Sequence, residues 1–139
     1  KLTNDYDGTT HDFTRKGGVV HTEILLPDNA PREYADRSTL WNAVEAVEKS
    51  KNAQLSREIE IALPNELSEI ECIALAKEFA QQTFVDKGMC ADVCIHNPNR
   101  EQKNTHAHIM LTMRPFNEDG TWGDKQKKEY LLDKTYSCL

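Results

Sequence analysis

Two short apolar segments near the C-terminal end constrain this chain more than any other feature. They are Ala91-Asp92-Val93-Cys94-Ile95-His96 and His106-Ala107-His108-Ile109-Met110-Leu111-Thr112-Met113, joined by the polar stretch Asn97 to Thr105. Side chains of a strand repeat every two residues, so His106 and His108 point to one face. His96 closes the first segment. If the two runs pair as antiparallel neighbours, three imidazoles converge on one point. Three histidines with coordination positions left open is a common arrangement for a catalytic metal. The competing reading is three surface histidines on an exposed sheet face; the flanking Asn104 and Thr112 favour the metal.

Upstream, the pattern alternates strands with long amphipathic segments. Val19 to Leu26 reads as a strand stopped by Pro27 and Asp28-Asn29. A helix is predicted from Pro31 to about Lys49, with Tyr34, Leu40, Trp41, Val44 and Val47 on its apolar stripe. Arg57-Glu58-Ile59-Glu60-Ile61-Ala62-Leu63 alternates strictly, the mark of a strand with one face on a core, and Pro64 ends it. A second helix is predicted from about Ser68 to Lys87. Ile70, Ile73, Ala74, Leu75, Ala76, Phe79, Ala80 and Phe84 supply its apolar side, and Gly88 its cap. The order β-α-β-α-β-β predicts an α+β fold: a two-layer sandwich, a mostly antiparallel sheet with helices packed on one face.

Glu58 and Glu60, two residues apart, share a face of their strand. Should that face meet the histidines, one carboxylate can accept an N–H from a ligand imidazole and fix its tautomer. Otherwise they are solvated charges. His11 and His21 have no such convergence, and His21 reads as structural; Asp86, Asp92 and Asp124 carry no signal in their spacing.

The 139 residues fit one domain, and no apolar stretch approaches the roughly 20 residues needed to cross a bilayer. A cytoplasmic protein is the expectation. The four cysteines (Cys72, Cys90, Cys94, Cys138) lack a Cys-x-x-Cys pair, so reduced, buried thiols are expected. A mixed Cys/His zinc site using Cys90 and Cys94 stays open as an alternative. The net charge is −6, and it is uneven: residues 1–95 hold 10 Lys/Arg against 17 Asp/Glu, residues 96–139 hold 7 against 6. Phosphate contacts supply much of any nucleic-acid affinity. A DNA surface would therefore be local, drawn from Arg100, Lys103, Arg114, Lys125, Lys127 and Lys128; charge alone favours reading the same set as a solvated face. No Gly-rich phosphate loop, Ser-His-Asp spacing or Cys nucleophile signature is present.

Four stretches, in order along the chain, resemble the MobA/MobL relaxases of plasmid mobilisation, a branch of the HUH endonucleases. They are Thr10 to Lys16, Glu23-Ile24-Leu25-Leu26-Pro27, Arg57 to Pro64, and Asn104 to Arg114, the last the most specific. The resemblance implies a sheet of about five strands and a metal-dependent, site- and strand-specific DNA nickase acting at a transfer origin. It implies His96, His106 and His108 as ligands of a divalent metal, Mn²⁺ or Mg²⁺ ahead of Zn²⁺ or Ni²⁺. Beside them it implies a glutamate, Glu60 in preference to Glu58. The partners implied are single-stranded DNA and accessory mobilisation proteins. In the family a tyrosine attacks the phosphodiester and stays linked to the 5′ phosphate. Tyr6, Tyr34, Tyr130 and Tyr136 do not match its position. The expectation is therefore a single relaxase domain over residues 1–139, cut short at its N-terminus, where a first strand, a helix and the nucleophile would lie, and open at its C-terminus. Alone it should bind metal but not nick. The alternatives are a non-cleaving DNA-binding or mobilisation-complex module of the same fold, which the acidic balance favours, and a structural zinc domain.

Overall fold

In the computed structural model, residues 18–48, 53–98 and 104–124 are described. They form strands β1 (Val19–Leu25), β2 (Arg57–Ala62), β3 (Ala91–His96) and β4 (His106–Leu111), and helices α1 (Arg37–Val47) and α2 (Glu69–Thr83). The strands make one antiparallel sheet in the order β1-β3-β4-β2, so the hairpin β3–β4 is central and the two sequence-remote strands flank it. Among the described residues the sheet has four strands, where the resemblance implied about five.

Alternation decides what each face meets. Ala91, Val93 and Ile95 of β3 and Ala107, Ile109 and Leu111 of β4 pack in one cluster with Cys72, Ala76 and Ala80 of α2. Cys94 and Met110 turn the other way and pack with Leu40, Trp41 and Val44 of α1. The helices thus lie on opposite faces, giving three layers and correcting the expectation of two layers with both helices on one side. The central strands are apolar on both faces, which requires cover on both. The near-continuous burial of β3 records this.

Each predicted helix is shorter than its apolar pattern. The first divides into a 3-10 turn, Arg32–Ala35, and then α1. Between them Asp36 takes an extended backbone and its carboxylate accepts from the Thr39 amide at 3.0 Å, an N-cap that starts the helix afresh. The second starts where predicted, Ser68 and Glu71 closing a reciprocal capping box. It ends at Thr83, with a 3-10 turn at Val85–Lys87 carrying the chain to Gly88. Its buried stripe is Cys72, Ala76, Ala80 and Thr83; Ile70 (80% exposed) and Leu75 (39%) point to solvent, against the expectation. Small residues on the inner stripe let α2 sit close to the sheet. The last strand also stops at Leu111, two residues early.

Gly88 shows why the turn after α2 is fixed. Its φ is +104°, and a Cβ there would stand 2.8 Å from Cβ of Pro115, a ring that cannot swing aside. Gly88→Ala is therefore expected to destabilise the fold by about 1–3 kcal/mol from backbone strain, with the steric conflict added. Urea denaturation would read this as a lower midpoint at unchanged slope; an unshifted midpoint would refute it.

Candidate metal centre

The histidines owe their placement to register. His96 of β3 stands directly opposite His106 of β4, and His108 opposite Cys94. On the other side of β4, Glu60 of β2 is paired with His108 and Glu58 with Met110. With the two-residue alternation, His96, His106, His108, Glu58 and Glu60 share the sheet face on which α1 packs. Helix α1 engages that face through Asp92, Cys94 and Met110. His96 and His106 occupy the opposite end of the same strands, and His108 stands beside Cys94.

The rings of His96 and His108 have centroids 5.9 Å apart, inclined at 58°. Nε2 of His108 lies 4.0 Å from Oε2 of Glu60. Nδ1 of His106 is 3.1 Å from the carbonyl oxygen of Asn104. A carbonyl only accepts, so this contact selects the tautomer protonated at Nδ1 and leaves the Nε2 lone pair for another partner. His108 is held below the ordinary histidine range, first by desolvation and further by the neighbouring imidazoles, against the opposing pull of Glu60 and Glu58. Desolvation thus favours a neutral His108 with a lone pair, the state a metal requires.

As the rings stand, no group of three or more His, Cys, Asp or Glu side chains among the described residues is close enough to hold an ion. The donor chemistry fits a divalent ion: three imidazoles on one face, one already oriented by a carbonyl, and a carboxylate beside another.

The other predicted residues fall differently. Arg114 is not presented to a phosphate. Its Nε donates to Glu48 Oε2 at 3.0 Å and its Nη1 to the Gly123 carbonyl at 3.2 Å, bracing the end of α1 against the loop after β4. Arg100, Lys103, Lys125, Lys127 and Lys128 lie outside the described residues, as do His11, Cys138, Tyr6, Tyr130 and Tyr136. Thr112, expected to flank the site, is at the far end of β4, where its hydroxyl accepts from Cys90 N and donates to the Arg114 carbonyl. Tyr34 packs against Phe116 and Trp122, and burial raises its phenol above the usual range, the wrong direction for a nucleophile. His21 pairs with Glu23 at 2.9 Å, Glu23 in turn with Lys77 of α2 at 3.0 Å, so the three form a brace apart from the histidine cluster.

Cys90 and Cys94 sit in the apolar cluster under α1. Burial pushes their thiols up to about 12 and about 11.

One group escaped the sequence reading. Asp92, 1% exposed, accepts from Arg37 at 2.8 and 3.0 Å through Nε and 2.6 Å through Nη2, and from the Trp41 indole at 2.9 Å. A carboxylate inside an apolar strand was the available signal. Its partners are 51 and 55 residues away, beyond what spacing can reveal.

Comparison with known proteins identifies the family. The family model described as MobA/MobL family matches residues 1–137. The conjugal transfer protein TraA of Agrobacterium fabrum is 43% identical over 131 residues, 86% of this chain and 12% of that protein. The mobilization protein MobL of Acidithiobacillus ferridurans is 38% identical over 148 residues, 90% of this chain and 38% of that one. A solved structure described as the molecular basis of vancomycin resistance transfer in Staphylococcus aureus superimposes with a TM-score of 0.73. It is 40% identical and matches 84% of this chain and 58% of that one. The chain thus spans well under half the length of these curated relatives. With a family model covering nearly every residue, this chain belongs to the MobA/MobL family of mobilisation and conjugal transfer proteins.

Proposed function

We propose that the chain carries the metal-binding half of a relaxase site that nicks and rejoins one DNA strand at a plasmid transfer origin. The observation that carries this is the shared face of His96, His106 and His108 with Glu60 paired directly to His108. His96, His106 and His108 would hold a divalent ion, which when bound supplies charge stabilisation to a phosphoryl oxygen. Glu60 stands where it can accept a hydrogen bond from an imidazole and keep that ring aligned. The Asn104 carbonyl does the same for His106. In this reading a tyrosine upstream of Lys1 forms a new bond from its phenolate oxygen to phosphorus. The P–O3′ bond breaks and a free 3′ hydroxyl leaves, and the reverse attack rejoins the strand. Single-stranded DNA is the substrate, and accessory mobilisation proteins are the expected partners.

Two measurements test the reading. Calorimetric titration of the chain with Mn²⁺ is expected to give saturable one-site binding, with circular dichroism unchanged after chelation. Unfolding on chelation would instead mark a structural metal. A form extended upstream to include the tyrosine, given single-stranded transfer-origin DNA and Mn²⁺, is expected to yield a denaturant-resistant protein–DNA adduct. DNA binding without adduct would establish the non-cleaving module in its place.

A further inference from the structure

The mouth of the β3–β4 hairpin holds a contact for which metal chemistry alone gives no reason. Asn97 directly follows His96, is 5% exposed, and is gripped from two sides. Its backbone N–H donates to the Gly18 carbonyl at 2.8 Å. Its side-chain oxygen accepts from the backbone N–H of Asn104 at 3.1 Å. Gly18 is required for that approach: its φ is +91°, and a Cβ would stand 2.6 Å from the Asn97 carbonyl oxygen. The Thr105 carbonyl in turn accepts from Leu63 N at 2.9 Å, tying the next residue to the end of β2.

The residue that Asn97 holds is the one whose carbonyl orients His106. We propose that Asn97 is a positioning residue for the metal centre: through the Asn104 peptide it fixes the ring of His106 in the Nδ1-protonated tautomer. This rests on the metal reading above and adds the device that keeps one ligand pre-oriented. Asn97 and Asn104 stand at the two ends of the segment that joins β3 to β4. Without a side-chain clamp across the mouth, the Asn104 carbonyl is free to turn away, and His106 is then free to exchange between tautomers. A buried amide at the end of β3 ties the approach to β4 to it with one hydrogen bond.

The test uses the 139-residue chain. Long-range ¹H–¹⁵N correlation spectra of the metal-free protein report the His106 tautomer, and calorimetry reports Mn²⁺ affinity. The parent is expected to show the Nδ1–H form. Asn97→Ala is expected to shift His106 to a tautomer mixture and to weaken Mn²⁺ binding about tenfold, the lower end of what losing a partner behind a metal ligand costs. Asn97→Asp, which keeps an acceptor oxygen, is expected to restore both. If Asn97→Ala does not fold, Asn97→Leu fills the space without the acceptor and takes its place. An unchanged tautomer and affinity in the alanine or leucine variant, with Mn²⁺ still bound by the parent, overturns the role of Asn97 and leaves the metal reading standing. A parent that takes up no Mn²⁺ overturns the metal reading and the positioning role with it.

Discussion

Asp92→Ala is expected to cost about 3–5 kcal/mol of folding free energy, the range for removing one partner of a buried ion pair. Asp92 is almost wholly buried, and its two oxygens satisfy both the Arg37 guanidinium and the Trp41 indole. Burial alone would lower the Arg37 pKa; the hydrogen bonds and charge of Asp92 outweigh that and raise it. Without the carboxylate, a cation is left between α1 and the sheet with an indole N–H unsatisfied beside it. Domains of this size are stable by about 5–15 kcal/mol, so the loss is a large fraction of the whole. The diagnostic comparison is the double variant Arg37→Met/Asp92→Leu, which removes both charges and refills the space. It should recover most of the loss and retain about 1–3 kcal/mol for the unpaired indole. Chemical denaturation of both proteins decides the matter. Equal losses would mean that the ion pair is not what holds α1 to the sheet.

His106→Ala/His108→Ala is expected to behave in the opposite sense, losing ligand while keeping fold. Changing a group behind a metal ligand commonly costs 10–100-fold in affinity, so deleting two ligands should weaken Mn²⁺ binding by more than about 100-fold. Both histidines are only partly buried. Substitutions away from cores and buried networks usually stay within about 0.5 kcal/mol. The double variant should therefore unfold near the parent's midpoint. Calorimetry on the two proteins is the check. Equal Mn²⁺ affinities would reduce the histidines to surface residues and remove the centre proposed here.

Much of this was legible in the sequence because the relevant signals are local. Strict alternation marked Arg57 to Leu63 and apolar runs bounded by turn residues marked the other three strands, while the His-x-His pair put two candidate ligands on one face without any knowledge of what lay beyond the strand. Pairing of Glu60 with His108 was left open by the sequence, because alternation sets the face of a residue and not the register between strands remote along the chain. What was not legible depended on distant chain. Apolar residues on α2 were counted as inward, yet Ile70 and Leu75 face out because the sheet admits only the small stripe of Cys72, Ala76 and Ala80. Two helices cannot be assigned to faces from their own sequences. The information sits in the strands, where Cys94 and Met110 alternate with Val93 and Ile109 and all are buried. Arg114 was read as a free cation since nothing nearby in sequence could pair with it; Glu48 is 66 residues away.

The strand order has a consequence for how the candidate centre comes into being. Nine residues separate β3 from β4, whereas 65 separate β1 from β3. Closing the longer loop costs about 1.8 kcal/mol more in chain entropy, since each doubling of length adds roughly 0.6. All three imidazoles ride on the cheaper closure. Among the described residues the centre thus rests on the most local strand pairing of the sheet. Fraying at the outer edges would disturb the surroundings of the histidines without scattering them.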